Sequence, residues 1–251
     1  MDRREFTTAL GLSAAAALTQ PVAAAEPFQI GMLVFEGMTH LDLAGPQDAF
    51  TKLRPGKVFC LGKTRAAVTS DSGLRVLPDL ALDEAPELDL LFVGGGAGVA
   101  ALMEDAAVLN FLASRAPRAR WVTSVCTGAL VLGAAGLLRG YRATTHWTAM
   151  DILPVLGAQP VQERVAIDRN RITGGGVTAG IDFGLVVLQQ VGGTELAQLV
   201  QLGSEYDPHP PFDCGSPRTA PAALVERFRT VSARTTTERM AAARRAAAHW
   251  A

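Results

Sequence analysis

Trp121-Val122-Thr123-Ser124-Val125-Cys126-Thr127-Gly128-Ala129-Leu130-Val131-Leu132 carries a β-rich apolar run into a cysteine, after which small residues open an apolar helical segment. The pattern predicts a strand, a sharp turn and a helix. A nucleophile on such a turn projects from the C-terminal edge of a parallel sheet, with the following backbone N–H groups and the helix N-terminus facing the same point. The positive end of the helix dipole is expected to favour the Cys126 thiolate. The same residues also read as a buried free cysteine, the commoner fate of a cysteine beside an apolar strand.

Outward from this unit the chain alternates in kind. Gln29 to Phe35 is a nearly continuous apolar run, the pattern of a strand covered on both faces. A loop over Glu36 to Asp42 is expected next, then a helix from Leu43 to Leu53 with Pro46 in its first turn. Asp42 thus lies at a strand-to-helix junction on the edge that holds Cys126, where capping is the usual job of an aspartate. Lys57 to Gly62 reads as a second strand with Cys60 in the core, and Leu88 to Val93 as a third buried strand. The latter runs into Gly94-Gly95-Gly96-Ala97-Gly98, which lacks the lysine of a phosphate loop and does not complete a dinucleotide fingerprint. Backbone N–H groups beside a reacting oxyanion suit these glycines better, and a tight turn needing positive φ is their simpler use.

A helix is expected over Val99 to Ala116 and another over Ala129 to Leu138. A strand end at Tyr141 to Trp147, with a new helix near Thr148, brings His146 to the same sheet edge; a lone histidine is more often structural than a base. Arg164 to Thr173 reads as a hairpin about Asp168-Arg169-Asn170. Gly174 to Asp182 opens an apolar helix reaching Val191, with Asp182 as a capping or dipole-compatible residue. Glu205 to Phe212 is proline-rich and extended, suited to wrapping a surface or a partner subunit, and Pro221 to Trp250 is a long Ala/Arg helix whose basic residues read as a solvated or packing face.

The 251 residues, 49% hydrophobic and 19% charged, are enough for a sizeable core. A net charge of −1 creates no long-range field for nucleic acid or an anionic membrane. His40, His146, His209 and His249 with Cys60, Cys126 and Cys214 show no metal-ligand spacing, so no structural metal is expected. Residues 1–25 read as a twin-arginine-type signal: Arg3-Arg4, a weakly apolar Ala9 to Leu18, and small residues before Glu26. The apolar run is short for an anchor and is interrupted by Thr19, Gln20 and Pro21. The expectation is therefore an exported, periplasmic protein cleaved near Ala25, without stable membrane association, whose residues 26–251 form one domain with a C-terminal helical extension. In an oxidising compartment three cysteines leave at least one unpaired, as a working thiol requires, and leave a Cys60–Cys214 disulfide open.

The β/α order, the strand-Gly-Gly-Gly turn and the Ser-Val-Cys-Thr-Gly elbow together resemble the ThiJ/PfpI superfamily, with its class I glutamine-amidotransferase-like fold. Within it, Thr39 to Pro46, Ala101 to Asp105, Thr123 to Gly136, Ala143 to Trp147, Ile172 to Phe183 and Pro210-Pro211-Phe212 with Gly215-Ser216-Pro217 are similar to isonitrile hydratases in kind and order. The resemblance implies a flavodoxin-like three-layer α/β sandwich with a mostly parallel central sheet and a cysteine nucleophile elbow. It implies Cys126 as nucleophile, Asp42 as acid/base and Thr127 as the residue that follows the cysteine in those hydratases. It puts His146 near the site, and it implies a homodimer. Gly94, where relatives often have proline, and Ala97, where they often have a polar residue, depart from the pattern.

The chemistry so implied is hydration of an isonitrile to the N-substituted formamide, which needs neither a cofactor nor a metal. Burial beside a thiolate is expected to raise the Asp42 pKa, and the Gly95-Gly96 turn with the Thr127 N–H to face developing charge. Two other readings stand beside it: glyoxalase-like or hydrolytic chemistry on the same cysteine, and a non-catalytic ligand- or oxidant-sensing module like the domains fused to AraC-type DNA-binding regions. The export signal and the lack of such a region in these residues weigh against sensing.

Overall fold

The computed structural model describes residues 26–248, so the expected signal, residues 1–25, lies outside the described residues. The elements follow in order: β1 (Phe28–Leu33), α1 (His40–Phe50), β2 (Gly56–Gly62), the short pair β3 (Val68–Thr69) and β4 (Arg75–Val76), β5 (Leu80–Ala81), β6 (Leu90–Val93), α2 (Val99–Leu102), α3 (Ala106–Arg115), β7 (Trp121–Val125) and α4 (Gly128–Ala134). After these come β8 (Arg142–Ala143), β9 (Gln159–Pro160), β10 (Val165–Asp168), β11 (Arg171–Gly174), α5 (Ala179–Gly192), α6 (Thr194–Gly203) and α7 (Ala222–Ala248).

The central sheet runs β10-β11-β7-β6-β1-β2-β5, parallel throughout except for the β10–β11 hairpin. The apolar runs predicted as strands are its middle: β6 and β11 are buried along their whole length, and β7 along all but Trp121. Such strands need helices on both faces. One layer packs α1 on α5 and α5 on α6; the other joins α4 to α2, α3 and α7. Small residues set the first contact, since a Cβ on Gly184 would lie 2.8 Å from that of Ala49. Beneath it Phe50, Phe92 and Phe183 meet at ring-centroid distances of 5.8 to 6.1 Å, favourable for edge-on aromatic packing.

The chain order reverses between β1 and β6. In open parallel sheets the carboxyl ends of strands on either side of such a reversal frame a crevice, and here those ends lead into Asp42 and the Gly94–Gly96 turn.

Several expected boundaries move. Helix α1 begins at His40, with Thr39 at the cap position, so Asp42 sits in the first turn rather than capping it. Pro46 is correspondingly inside the helix, where its missing N–H leaves the Asp42 carbonyl without its i+4 donor. The helix expected over Val99 to Ala116 breaks at Met103–Asp105, because the Asp105 carboxylate accepts from the N–H groups of Ala107 and Val108 and starts α3 anew. Helix α4 stops at Ala134, four residues early, and the segment near Thr148 is a 3-10 turn over Trp147–Ile152. Asp182 does not cap α5: it binds Arg164 and accepts from the Tyr206 hydroxyl at 2.7 Å, tying the start of the proline-rich segment to the helix.

Candidate active site

Cys126 follows β7 with φ of +56°, a left-handed conformation that costs a non-glycine residue on the order of 1–3 kcal/mol. Surrounding bonds hold it there. Its N–H reaches the Gly174 and Gly175 carbonyl oxygens at 3.1 and 2.8 Å, and its own carbonyl accepts from the Thr145 hydroxyl at 2.7 Å. The next turn packs so closely on β6 that a Cβ on Gly128 would stand 2.1 Å from the Val93 oxygen. The predicted elbow is therefore formed.

Cys126 is only 6% exposed, and the backbone N–H groups of Thr127 and Val177 lie on the side of the sulfur, where they lower its pKa. These donors favour the thiolate. They are outweighed by burial and by the charge of Asp42, which together push the Cys126 pKa up to about 12. Burial and the neighbouring carboxyl therefore work against the thiolate that the helix dipole was expected to favour, and hold the sulfur toward its thiol form.

Asp42 lies against that thiol from the β1–α1 turn and is itself 0% exposed. Burial raises its pKa to about 7, against the lowering effects of the Gly95 N–H and of Cys126. The Gly95 N–H donates to Oδ2 at 2.8 Å, whereas Oδ1 is buried with no hydrogen-bond partner. One oxygen is fixed, and the other is free to exchange a proton.

The glycine turn does a different job from the one expected. The N–H groups of Gly95 and Gly96 are not open to an oxyanion, because Gly95 is committed to Asp42 and Gly96 donates to the Thr127 hydroxyl oxygen at 3.2 Å. The turn is a brace between the β1–α1 junction and the elbow. Glycine is required at its centre: Gly96 has φ of +142°, and a Cβ there would come 2.3 Å from the Gly37 oxygen.

His146 reaches the same edge with its ring engaged elsewhere. Nδ1 lies 2.8 Å from the Thr148 hydroxyl and accepts from the Thr148 N–H at 3.3 Å, so the neutral ring carries its proton on Nε2. Burial, helped by the charge of Arg239, lowers its pKa to about 4. It makes no hydrogen bond to Cys126 or Asp42 among the described residues, and it wedges against Gly176, where a Cβ would lie 2.6 Å from its Cδ2.

Two residues at the site escaped the sequence reading. Val177 offers the second N–H to the sulfur, and the glycines before it were the only hint of a close backbone approach. Arg239 comes from α7 and donates from Nη2 to the Gly96 carbonyl at 2.9 Å; nothing local in an Ala/Arg helix marks it. Cys60 and Cys214 are both free, one buried and the other exposed, so no disulfide joins them; Cys60 accepts instead from Gln47 at 3.5 Å. A cavity of about 360 Å³, lined by Phe35, Glu36, Lys63, Gly98, Leu102 and others, touches none of Cys126, Asp42, Thr127 and His146.

A thiol on a strained strand-to-helix turn, faced by a carboxyl from the neighbouring βα turn at the reversal point of a parallel sheet, defines an α/β protein with a cysteine elbow. The DJ-1/PfpI family model matches residues 29–190, and the chain belongs to the DJ-1/PfpI family. It is 54% identical over 201 residues to an isonitrile hydratase of Pseudomonas putida, covering 80% of this chain and 88% of that protein. It is 32% identical over 187 residues to the HTH-type transcriptional regulator GbdR of Pseudomonas aeruginosa, but spans only 49% of that protein. Among solved structures, a ThiJ/PfpI family protein from Pseudomonas syringae superposes with a TM-score of 0.85 at 43% identity, covering 94% of this chain and 98% of the other.

Proposed function

We propose that this protein is a lyase that hydrates an isonitrile, R–N≡C, to the N-substituted formamide. The observation that carries the reading is the buried Asp42 carboxyl, with a pKa near 7 and one unpartnered oxygen, set against the Cys126 thiol. The 54% identity to an isonitrile hydratase supports it. A thiol exposed by only 6% also suits a linear, slender reacting group.

Ionised Asp42 takes the thiol proton as sulfur bonds to the terminal carbon, then delivers that proton to the same carbon, giving the thioimidate R–N=CH–S–Cys126. The carboxylate next removes a proton from water as its oxygen adds to the carbon, and that proton passes to the imine nitrogen. The tetrahedral species collapses: the C=O bond forms, the C–S bond breaks, and the hydroxyl proton returns through Asp42 to sulfur. One water has been added and both side chains are restored. The N–H groups of Thr127 and Val177 face the sulfur, where they offset charge in the attack and in the departure. Thr127 and Gly95 act as positioning residues through the brace, and His146 packs against Gly176 beside the Val177 N–H.

The test follows formamide from a simple aryl isonitrile with wild type, Cys126→Ala and Asp42→Asn. Turnover by wild type that both variants abolish or cripple is the expected result; reduced, folded wild type without turnover overturns the assignment. The proposal includes a homodimer, supported by Leu224, Phe228 and Val231, exposed at helical spacing along one face of α7. Export by residues 1–25 rests on the Arg3-Arg4 pattern alone, and N-terminal sequencing of the exported protein tests it.

A further inference from the structure

Helix α7 carries arginines that differ in one respect. Arg229, Arg234 and Arg245 are each paired with a glutamate, namely Glu226, Glu238 and Glu104. Arg239 has no such partner among the described residues, and the glutamate beside it in sequence is turned to Arg234. Arg227 and Arg244 have no ion pair among the described residues either, but both are exposed to solvent, whereas Arg239 is half-buried at the reactive edge. Nη2 holds the Gly96 carbonyl, while Nε is buried and makes no hydrogen bond. Burial opposes its charge, which Cys126 and, at longer range, Glu238 support and which is felt at His146. No carboxylate lies within ion-pair distance of it among the described residues: Glu238 supports its charge only from farther off, and His146 is neutral. A guanidinium has five N–H donors, and half-burying one against a single carbonyl leaves desolvation that one neutral acceptor does not offset. Uncompensated charge of this kind is kept where a ligand completes it.

We propose that Arg239 recognises an anionic group on the substrate, so that the substrates of this site are isonitriles bearing a carboxylate close to the isonitrile nitrogen. The carboxylate must lie near the nitrogen because Arg239 touches the Gly96 end of the brace, and Gly96 in turn donates to the hydroxyl of Thr127, the residue after Cys126. The proposal rests on the hydratase reading for its substrate, and not for the anion preference itself.

The experiment compares kcat/KM for isocyanoacetate and for its methyl ester, in wild type, Arg239→Gln and Arg239→Lys, with melting curves to establish that each variant is folded. A charge-assisted hydrogen bond corresponds to roughly a tenfold to hundredfold preference. Wild type is expected to favour the acid by that factor, Arg239→Gln to lose the preference, and Arg239→Lys to retain part of it. An acid-to-ester ratio that is the same in wild type and Arg239→Gln overturns the proposal. If wild type turns over neither compound, the hydratase reading fails for this substrate class, and the anion preference is read instead from alkylation of Cys126 by iodoacetate against iodoacetamide, followed by mass spectrometry. The proposal then requires that ratio to drop about tenfold in Arg239→Gln, and an unchanged ratio overturns it.

Discussion

The turn after β1 and the turn after β8 each deliver a titratable residue to one sheet edge, and burial treats the two in opposite ways. Desolvation disfavours whichever form is charged. For Asp42 that lifts an acid to about 7, where it exchanges protons in neutral water; for His146 it drops a base to about 4, where it stays neutral. Hydrogen bonding sharpens the contrast. Asp42 keeps Oδ1 unpartnered, whereas His146 commits Nδ1 to Thr148. Had residue type alone decided, the histidine would be the proton carrier; the environment makes it the aspartate.

The largest expected effect breaks the comparison if it fails. Asp42→Asn should lower kcat/KM by about 10²- to 10⁴-fold, the usual range for a general acid/base. His146→Asn should leave an active enzyme with the pH profile unchanged in form. Comparable losses in both variants would put the histidine back in the chemistry. The wild-type profile should show one acid limb near pH 7, because below it the pair holds both protons and no base remains for the thiol. That limb belongs to Asp42 and Cys126 jointly, and it should survive His146→Asn.

Stability gives the next effect. The folded Asp42 pKa lies above its ordinary value of 3.8, so the native state binds its proton more tightly than the unfolded chain. The resulting stabilisation is present below that ordinary value and is lost as the pH rises through about 7, by roughly 4 kcal/mol in all. Asp42→Asn removes the ionisable group. The variant should therefore melt well above wild type at pH 8 and close to it at pH 4, as calorimetry at the two values would reveal. A melting difference independent of pH would mean that the carboxyl is not buried as described.

What the sequence disclosed follows the same division between local and distant causes. The elbow was legible because β7 and α4 meet within a dozen residues and an apolar strand ending in Cys-Thr-Gly admits few other shapes. The position of Asp42 was legible too, but not its setting. The apolar spacing was read from Leu43, whereas the helix starts at His40, where the Asp42 N–H meets the Thr39 carbonyl, and Thr39 spends its hydroxyl on Asp71 instead of a cap. The thiol's pKa was misjudged because the dipole argument uses neighbours in sequence, and the dominant causes are burial and a carboxyl from another turn. The Gly95 and Gly96 N–H groups were read as free for the same reason. Arg239 had no local signal at all, since its meaning lies in the glycine turn it meets across the fold.

The smallest effect concerns the other end of α7 and separates the helix into two parts. Its C-terminal half carries Arg239 and the buried Ala242, Ala243 and Ala246, so it is fastened to the body of the protein. In its first half Leu224, Phe228 and Val231 are exposed by 46%, 46% and 77%, at spacings of four and three residues that align them on one face. Replacing the most exposed, Val231→Lys, buries nothing new within the chain and should shift its melting temperature little, since exposed positions usually change stability by about 0.5 kcal/mol or less. In a dimer built on this face the same change sets two charges in an apolar contact. Light scattering of the eluted protein should then report a smaller mass at low concentration than for wild type, with Cys126 chemistry otherwise intact. An unchanged mass would rule out a dimer built on this face of α7.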